Sequence, residues 1–215
     1  MPPVRIALIH ALAHSVAPIN EALKRDWPGA RRMNVLDDSL SADLAGNGRG
    51  LDAFMHERFV RLGDYVIDSG SDAILFTCSA FGPCIEAVAR KHAGVPVFKP
   101  NEAMIGEAVA TGLHVGLLSS FAPTLASMPA EFPPSVELTT DLAGGAMAAL
   151  DAGDAALHDA LILQAAARLK AKGCGVIALA QFSMAHMREA VERATGLEVL
   201  TTPDSAIRAL KARLT

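Results

Sequence analysis

The chain predicts an α/β fold of two pseudo-symmetric lobes, each a four-stranded, mainly parallel sheet flanked by helices, with an active site between the lobes. Three observations lead to this expectation. Short apolar runs alternate with longer amphipathic stretches, the pattern of strands and helices in succession. Most of the apolar runs are continuous rather than alternating, which marks strands covered on both faces, as in parallel sheets. The second half also repeats the plan of the first at an offset of about 103 residues. The run 72–81, through Cys78, matches the run 175–184, through Gln181, and the same offset pairs Gly70 with Gly173, Asp38 with Asp141, Pro100 with Pro203 and Ala103 with Ala206. Cys78 and Gln181 are thus equivalent positions, and two facing lobes would make a cleft with a thiol on one side and an amide on the other.

In chain order, strands are expected at 4–10, 32–36, 72–77 and 96–98 in the first lobe, and at 114–119, 136–140, 175–180 and 198–200 in the second. Helices are expected at 15–25, 50–69, 79–91, 101–111, 155–172, 183–194 and 204–213, with a further helix beginning in the segment 119–124. Gly70, Gly112, Gly173 and Gly196 follow four of these helices, where a left-handed terminal residue is favoured. Gly46-Asn-Gly-Arg-Gly50 marks a flexible loop in the first lobe, and Pro129, Pro133 and Pro134 mark another in the second. The boundary falls near Gly112, giving a first lobe of 1–112 on the Cys78 side and a second of 113–202 on the Gln181 side. The last helix, 203–215, is a candidate to pack back on the first lobe.

Composition narrows the function. With 215 residues, 51% of them hydrophobic, the chain can bury a full core, and aromatics at 5% provide no row of stacking platforms for single-stranded nucleic acid. A net charge of −4 argues further against a phosphate-backbone partner, which needs a basic face. The three cysteines, Cys78, Cys84 and Cys174, form no Cys-x-x-Cys pair, so neither a disulfide framework nor a zinc site is expected, and reduced thiols in the cytoplasm fit best. The opening Met1-Pro-Pro-Val-Arg-Ile-Ala-Leu-Ile-His10 reads as a first strand rather than a leader, because its apolar core is short. No apolar run reaches the roughly 18 to 20 residues that span a bilayer, so no membrane partner is expected.

Ligands of parallel α/β sheets bind beyond the carboxyl ends of the strands. The polar residues there are His10, Asp37 and Asp38, Thr77 to Ser79, Pro100 to Glu102, Ser119 and Ser120, Thr139 to Asp141, Gln181 to Ser183, and Thr201 with Thr202. Cys78 ends a strand just ahead of a helix, where the helix dipole and free N–H groups would favour its thiolate. A lone cysteine at a strand end is equally well a small buried hydrophobe. Cys84 and Cys174 read as structural, and His186 as a surface residue one turn into its helix. His10, Asp37 and Asp38 are divided between site and structural roles. Ser119, Ser120 and Thr124 would suit a carboxylate through hydroxyls and N–H groups, although the same residue types cap helices. Neither a Gly-x-Gly-x-x-Gly nor a P-loop pattern occurs, which leaves a nucleotide cofactor without support.

Taken together, Ile6-Ala-Leu-Ile-His10, Thr77-Cys-Ser-Ala80, Pro100-Asn-Glu-Ala103, Val115-Gly-Leu-Leu-Ser-Ser120 with Thr124, and Leu179-Ala-Gln181 resemble the aspartate/glutamate racemase superfamily over nearly the whole chain. That superfamily includes glutamate, aspartate and hydantoin racemases, maleate isomerase and arylmalonate decarboxylase. The resemblance implies a cofactor-independent and metal-independent isomerase acting on a small carboxylate or amino-acid-like substrate, and leaves room for a homo-oligomer. It implies Cys78 and Gln181 as the catalytic positions, with His10, Thr77, Ser79, Ser119, Ser120, Thr124 and Ser183 binding substrate. The racemases of the superfamily use two cysteines on opposite faces of a carbon, one taking a proton and the other delivering one. Gln181 stands at the second position and cannot exchange protons at neutral pH. Cys174 is no replacement, lying at the far end of the strand, roughly 20 Å away at strand rise. Three readings follow: an isomerase in which His10, His186 or water replaces the missing thiol, a single-cysteine lyase of the arylmalonate decarboxylase type, and a non-catalytic carboxylate-binding homologue.

Overall fold

The computed structural model describes residues 3–46 and 48–215; Asn47 of the expected loop and Met1 and Pro2 at the start of the chain lie outside them. The first sheet has strand order β2-β1-β3-β4, formed by β1 (Arg5–His10), β2 (Arg31–Leu36), β3 (Ala73–Phe76) and β4 (Val97–Phe98). The second has order β6-β5-β7-β8, formed by β5 (Val115–Ser119), β6 (Leu138–Leu142), β7 (Val176–Leu179) and β8 (Glu198–Thr201). Every pairing is parallel. The internal repeat is therefore visible as two copies of one topology. It extends to single bonds: Thr77 N–H donates to Ile9 C=O at 3.0 Å, and its counterpart Ala180 N–H donates to Leu118 C=O at 2.9 Å.

The continuous apolar runs are the central strands. β3, β5 and β7 are buried at every position, and β1 at all but its first. β2 lies at a sheet edge and alternates instead between exposed and half-buried residues. A central strand with helices over both faces has no solvent side to make polar, which is why its sequence does not alternate. The helices are α1 (Val16–Asp26), α2 (Ser39–Gly46), α3 (Ala53–Asp68), α4 (Gly82–Lys91), α5 (Glu102–Ala110), α6 (Ala122–Ser127), α7 (Ala146–Asp151), α8 (Ala155–Ala171), α9 (Arg188–Thr195) and α10 (Thr202–Leu214). Gly70 and Gly173, equivalent in the repeat, both leave their helices at positive φ, 81° and 85°, a conformation that lacks the Cβ penalty only in glycine. Among the described residues no helix is long and apolar enough to cross a membrane.

The chain divides into a unit of 1–102 with 206–215, and a unit of 103–205. Met104, Ile105 and Ala108 of α5 pack with Val115, Leu117 and Val176, so all of this helix after Glu102 belongs to the second unit, and the chain changes unit at its first residue rather than near Gly112. The end of α10 belongs to the first unit, where Lys211 Nζ donates to the Asp26 carbonyl at 3.1 Å. Two further expectations are corrected. Helices α2 and α7 are short and fall in segments where the sequence predicts no element, since neither is long enough to show a helical period. The offset also fails for Asp38 and Asp141: Asp38 precedes α2, whereas Asp141 lies inside β6, where its buried carboxylate receives Arg168 at 2.5 Å and Lys172 at 3.2 Å.

In the first unit α3 packs on α4 over a core that includes Phe59, Phe76 and Phe81, with the Phe59 ring 5.4 Å from Phe76 and 4.8 Å from Phe81. The approach of the two helices depends on Gly63: a Cβ there would stand 2.6 Å from Val88 Cγ1. Substituting Gly63→Ala gains some helix propensity but forces the helices apart, and overpacking of this kind costs about 1–3 kcal/mol. Urea unfolding monitored by circular dichroism is expected to show a net loss in that range; a gain would mean that Val88 rotates away freely.

Candidate functional site

Cys78 stands two residues past β3, extended at φ −127° and ψ 121°, and caps a single 3-10 turn at Ser79–Phe81. The α-helix proper, α4, begins only at Gly82, with Pro83 in its first turn and Phe81 as its N-cap. The positive helix end is thus one turn further along than the sequence suggested, and the expected thiolate is corrected. Burial pushes the Cys78 thiol above its ordinary value, and the Ala80 N–H and Ser41 hydroxyl that face the sulfur offset only part of that effect. Cys78 is half-buried against the first-unit core, between half-buried Ser79 and buried Thr77. At neutral pH it is a protonated thiol with two donors in place to receive the charge of its thiolate.

His10 ends β1 and is completely buried. Its Nε2 lies 3.0 Å from Asn34 Oδ1, and its Nδ1 lies 2.9 Å from Thr77 Oγ1 and 3.1 Å from Ser15 Oγ. Asn34 is oriented in turn by Asn20, whose Nδ2 donates to Asn34 Oδ1 at 2.8 Å. Since Oδ1 can only accept, His10 carries its proton on Nε2 and accepts a hydroxyl proton at Nδ1. Burial lowers its basicity, against the raising effect of the Asn34 bond, so the ring is neutral. Both nitrogens are thus committed inside the first unit. His10 holds Thr77, the neighbour of Cys78, instead of offering a free nitrogen to a ligand, because a buried imidazole must satisfy its own polar atoms first.

In the second unit Gln181 occupies the equivalent position, extended at φ −136° and ψ 142°, ahead of the 3-10 segment Phe182–Met187. Its Oε1 accepts from Ser120 N–H at 2.6 Å, from Ser119 Oγ at 2.9 Å and from Ser120 Oγ at 2.8 Å. A backbone N–H can only donate, so this contact identifies which end of the amide is oxygen. The clasp turns Nε2, with its two N–H donors, away from the serines. Ser119 and Ser120 were expected to hold a carboxylate; here the oxygen they hold belongs to Gln181. Thr124 is buried at the start of α6, and Ser183 is half-buried, with its carbonyl accepting from His186 Nδ1 at 3.0 Å.

The remaining candidates separate clearly. Cys84 is buried in α4, its thiol pushed up to about 11 by burial and by Asp52, and Cys174 is buried beside Leu169 and Gly116. Asp37 accepts from Ser39 Oγ and from Arg58 at 2.8 Å, which makes it an anchor for α2 and α3. Sequence reasoning missed Ser15, Asn34 and Ser41, since nothing in their spacing points to His10 or Cys78. Asn101 and Thr202, both among the strand-end residues expected from the sequence, each hold a buried polar atom without a partner, Asn101 Nδ2 in the first unit and Thr202 Oγ1 in the second. A buried donor without an acceptor costs about 1–3 kcal/mol, which a ligand oxygen would recover at Asn101.

The thiolate is the reactive form of cysteine, and a raised thiol leaves little of it at neutral pH. Alkylation of Cys78 by iodoacetamide is therefore expected to be slow at pH 7 and to keep accelerating above the ordinary thiol value of about 8.5, where an unshifted thiol levels off. Cys84 and Cys174 are expected to react only on unfolding. Mass spectrometry of the labelled peptides checks this, and fast labelling of Cys78 at pH 6 would show that the Ala80 and Ser41 donors outweigh burial.

The fold has counterparts among solved structures. The chain is similar in structure to glutamate racemase from Francisella tularensis in complex with D-glutamate, at 13% identity and a TM-score of 0.73, over 100% of this chain and 82% of that one. It is similar to allantoin racemase from Klebsiella pneumoniae at 17% identity and a TM-score of 0.71, over 97% and 86%. It is also similar to a mutant of arylmalonate decarboxylase in a sulfate-associated form, at 19% identity and a TM-score of 0.66, over 96% and 92%. No curated protein matches it at the sequence level. At these identities the structural likeness establishes the fold alone, but the family profile described as Asp/Glu/Hydantoin racemase matches residues 19–210. The chain belongs to the Asp/Glu/hydantoin racemase family.

Proposed function

We propose that the protein is a cofactor-independent isomerase of its family that acts on a small carboxylic acid, with Cys78 as its one thiol acid/base. The observation that carries this reading is the contrast between the two equivalent positions: a thiol with a donor pair at its sulfur, and an amide locked by Ser119 and Ser120. In the protonating direction the Cys78 S–H bond breaks, a C–H bond forms at the substrate carbon, and the electron pair stays on sulfur, where Ala80 N–H and Ser41 O–H stabilise it. In the reverse direction the thiolate removes a proton from the carbon beside the carboxylate. Gln181 delivers no proton in either direction. Its Nε2 serves as a hydrogen-bond donor to an oxygen that gains charge as the enolate forms. Within the first unit, Asn101 Nδ2 and Ser79 are assigned to the substrate carboxylate, and His10 with Ser15 keeps Thr77 in place. Free thiols at all three cysteines support a reducing compartment, and we place the protein in the cytoplasm.

A second reading has a specific observation in its favour. A thiol held protonated by burial is suited to quench a carbanion formed by loss of carbon dioxide, and a lyase of this kind needs only one acid. In that reaction the C–C bond to the departing carboxyl group breaks, carbon dioxide leaves, and the Cys78 proton takes its place on carbon. Incubation with a panel of small carboxylic acids in deuterated water separates the readings. Incorporation of deuterium at the carbon beside the carboxylate, without loss of carbon, marks the isomerase; carbon dioxide release from a malonate marks the lyase. Cys78→Ala is expected to reduce either activity by about 10²–10⁴-fold, the usual worth of a general acid/base. Gln181→Ala is expected to raise KM and lower kcat without abolishing exchange. Saturable binding of one acid with neither exchange nor release would identify a binding protein instead.

A further inference from the structure

His158, Asp159 and His186 have no part in the chemistry proposed for Cys78 and Gln181, yet their polar atoms converge. Helix α8 carries His158 and Asp159, and the 3-10 segment Phe182–Met187 brings up His186. His158 Nδ1 and His186 Nε2 each lie 2.9 Å from the same atom, Asp159 Oδ1, and all three lie within 4.8 Å of one another. The two imidazoles are stacked with centroids 5.4 Å apart and planes at 21°. From these three side chains we propose a binding site for a zinc-type divalent cation within the second unit.

His186 is held through both of its ring nitrogens. Its Nδ1 faces the Ser183 carbonyl at 3.0 Å, and a carbonyl only accepts, so Nδ1 carries a proton. In the neutral ring Nε2 then presents a lone pair to the Asp159 carboxylate, and two lone pairs repel unless a cation stands between them. A metal ion between them turns both lone pairs into bonds. The Nδ1–H bond to Ser183 is the outer hydrogen bond that orients a ligating histidine.

Geometry and ligand chemistry agree. Two imidazoles bound to one tetrahedral ion through Zn–N bonds of about 2 Å have centroids about 5 Å apart, close to the 5.4 Å seen here. The ligand atoms of such an ion are about 3.3 Å apart, so the 2.9 Å contacts open slightly while the two nitrogens draw together. His186 can make that adjustment, since its side chain is 50% exposed, whereas His158 is buried. Two nitrogens and one carboxylate oxygen form a set of intermediate softness that suits zinc and excludes magnesium and calcium, which take oxygen. Water at the half-exposed His186 side chain would supply the fourth ligand. His158 Nε2 is buried with no partner, so the proton it carries when Nδ1 binds metal finds no acceptor. That cost keeps the affinity below that of a closed structural zinc site.

This set is separate from Cys78, Cys84 and Cys174, whose spacing suggests no zinc site. Its position gives it a consequence: the ion would tie the segment that begins right after Gln181 to helix α8.

Isothermal titration of the chelator-treated full chain with zinc chloride near neutral pH tests the proposal. The expected result is one ion per chain with a micromolar Kd, no response to magnesium, and a rise in melting temperature with zinc. His186→Ala, at an exposed position, is expected to keep the metal-free melting temperature and to lose at least tenfold in zinc affinity. Asp159→Asn preserves the side-chain shape and is expected to lose affinity likewise. The proposal is overturned by absence of saturable binding, by unchanged affinity in both variants, or by loss of binding in Cys78→Ser, which would move the ion to a thiol.

Discussion

Parallel pairing of the central strands is the constraint on which the molecule depends. β1 with β3, and β5 with β7, are covered on both faces, so their backbone polar groups must be satisfied within the sheet and their side chains must be apolar. Strands that run in one direction end on one edge. In the first sheet β3 delivers Cys78 to that edge, and in the second sheet β7 delivers Gln181 to the corresponding one, each two residues beyond its last strand residue. The single bonds from Thr77 to Ile9 and from Ala180 to Leu118 carry the pairing one residue past the strands and fix where the next side chains point.

The two strand ends spend their polar surroundings differently. Around Cys78 the dominant effect is burial, which holds the proton on sulfur, while Ala80 and Ser41 stand ready for the charged form. Such a thiol is a better acid than base at rest. Around Gln181 the donors that might have bound an anion are turned on the amide oxygen. An unclasped glutamine could present either end; the backbone N–H of Ser120 removes that freedom and makes the position a fixed donor. A family that includes two-thiol racemases is represented here by one thiol and one oriented amide.

His10 illustrates how the fold reassigns a plausible site residue. Its place at a strand end satisfies the general rule for ligand positions, but complete burial forces both nitrogens to find protein partners. The result is a polar support under Thr77, built from Ser15, Asn34 and Asn20, whose members come from α1, β2 and the turn before α1. The cluster of His158, Asp159 and His186 is the opposite case. These residues lie 27 positions apart at the widest hydrogen-bonded pair, and only the packing of α8 against the segment after β7 assembles them.

The sequence alone determined the alternation of strands and helices, the four-and-four division of the strands, the equivalence of Cys78 and Gln181, and the family. These are properties of local period and of residues near one another in the chain, and central parallel strands write them as unbroken apolar runs. The tertiary structure decided the rest: that α2 and α7 are helical, that α5 sides with the second unit, that the Cys78 thiol stays protonated, and which way Gln181 faces. Each of those depends on desolvation or on a partner distant in sequence, such as Ser41 at Cys78 or Ser120 at Gln181. Neither leaves a periodic signal, because a hydrogen bond between remote residues constrains two positions and no pattern between them.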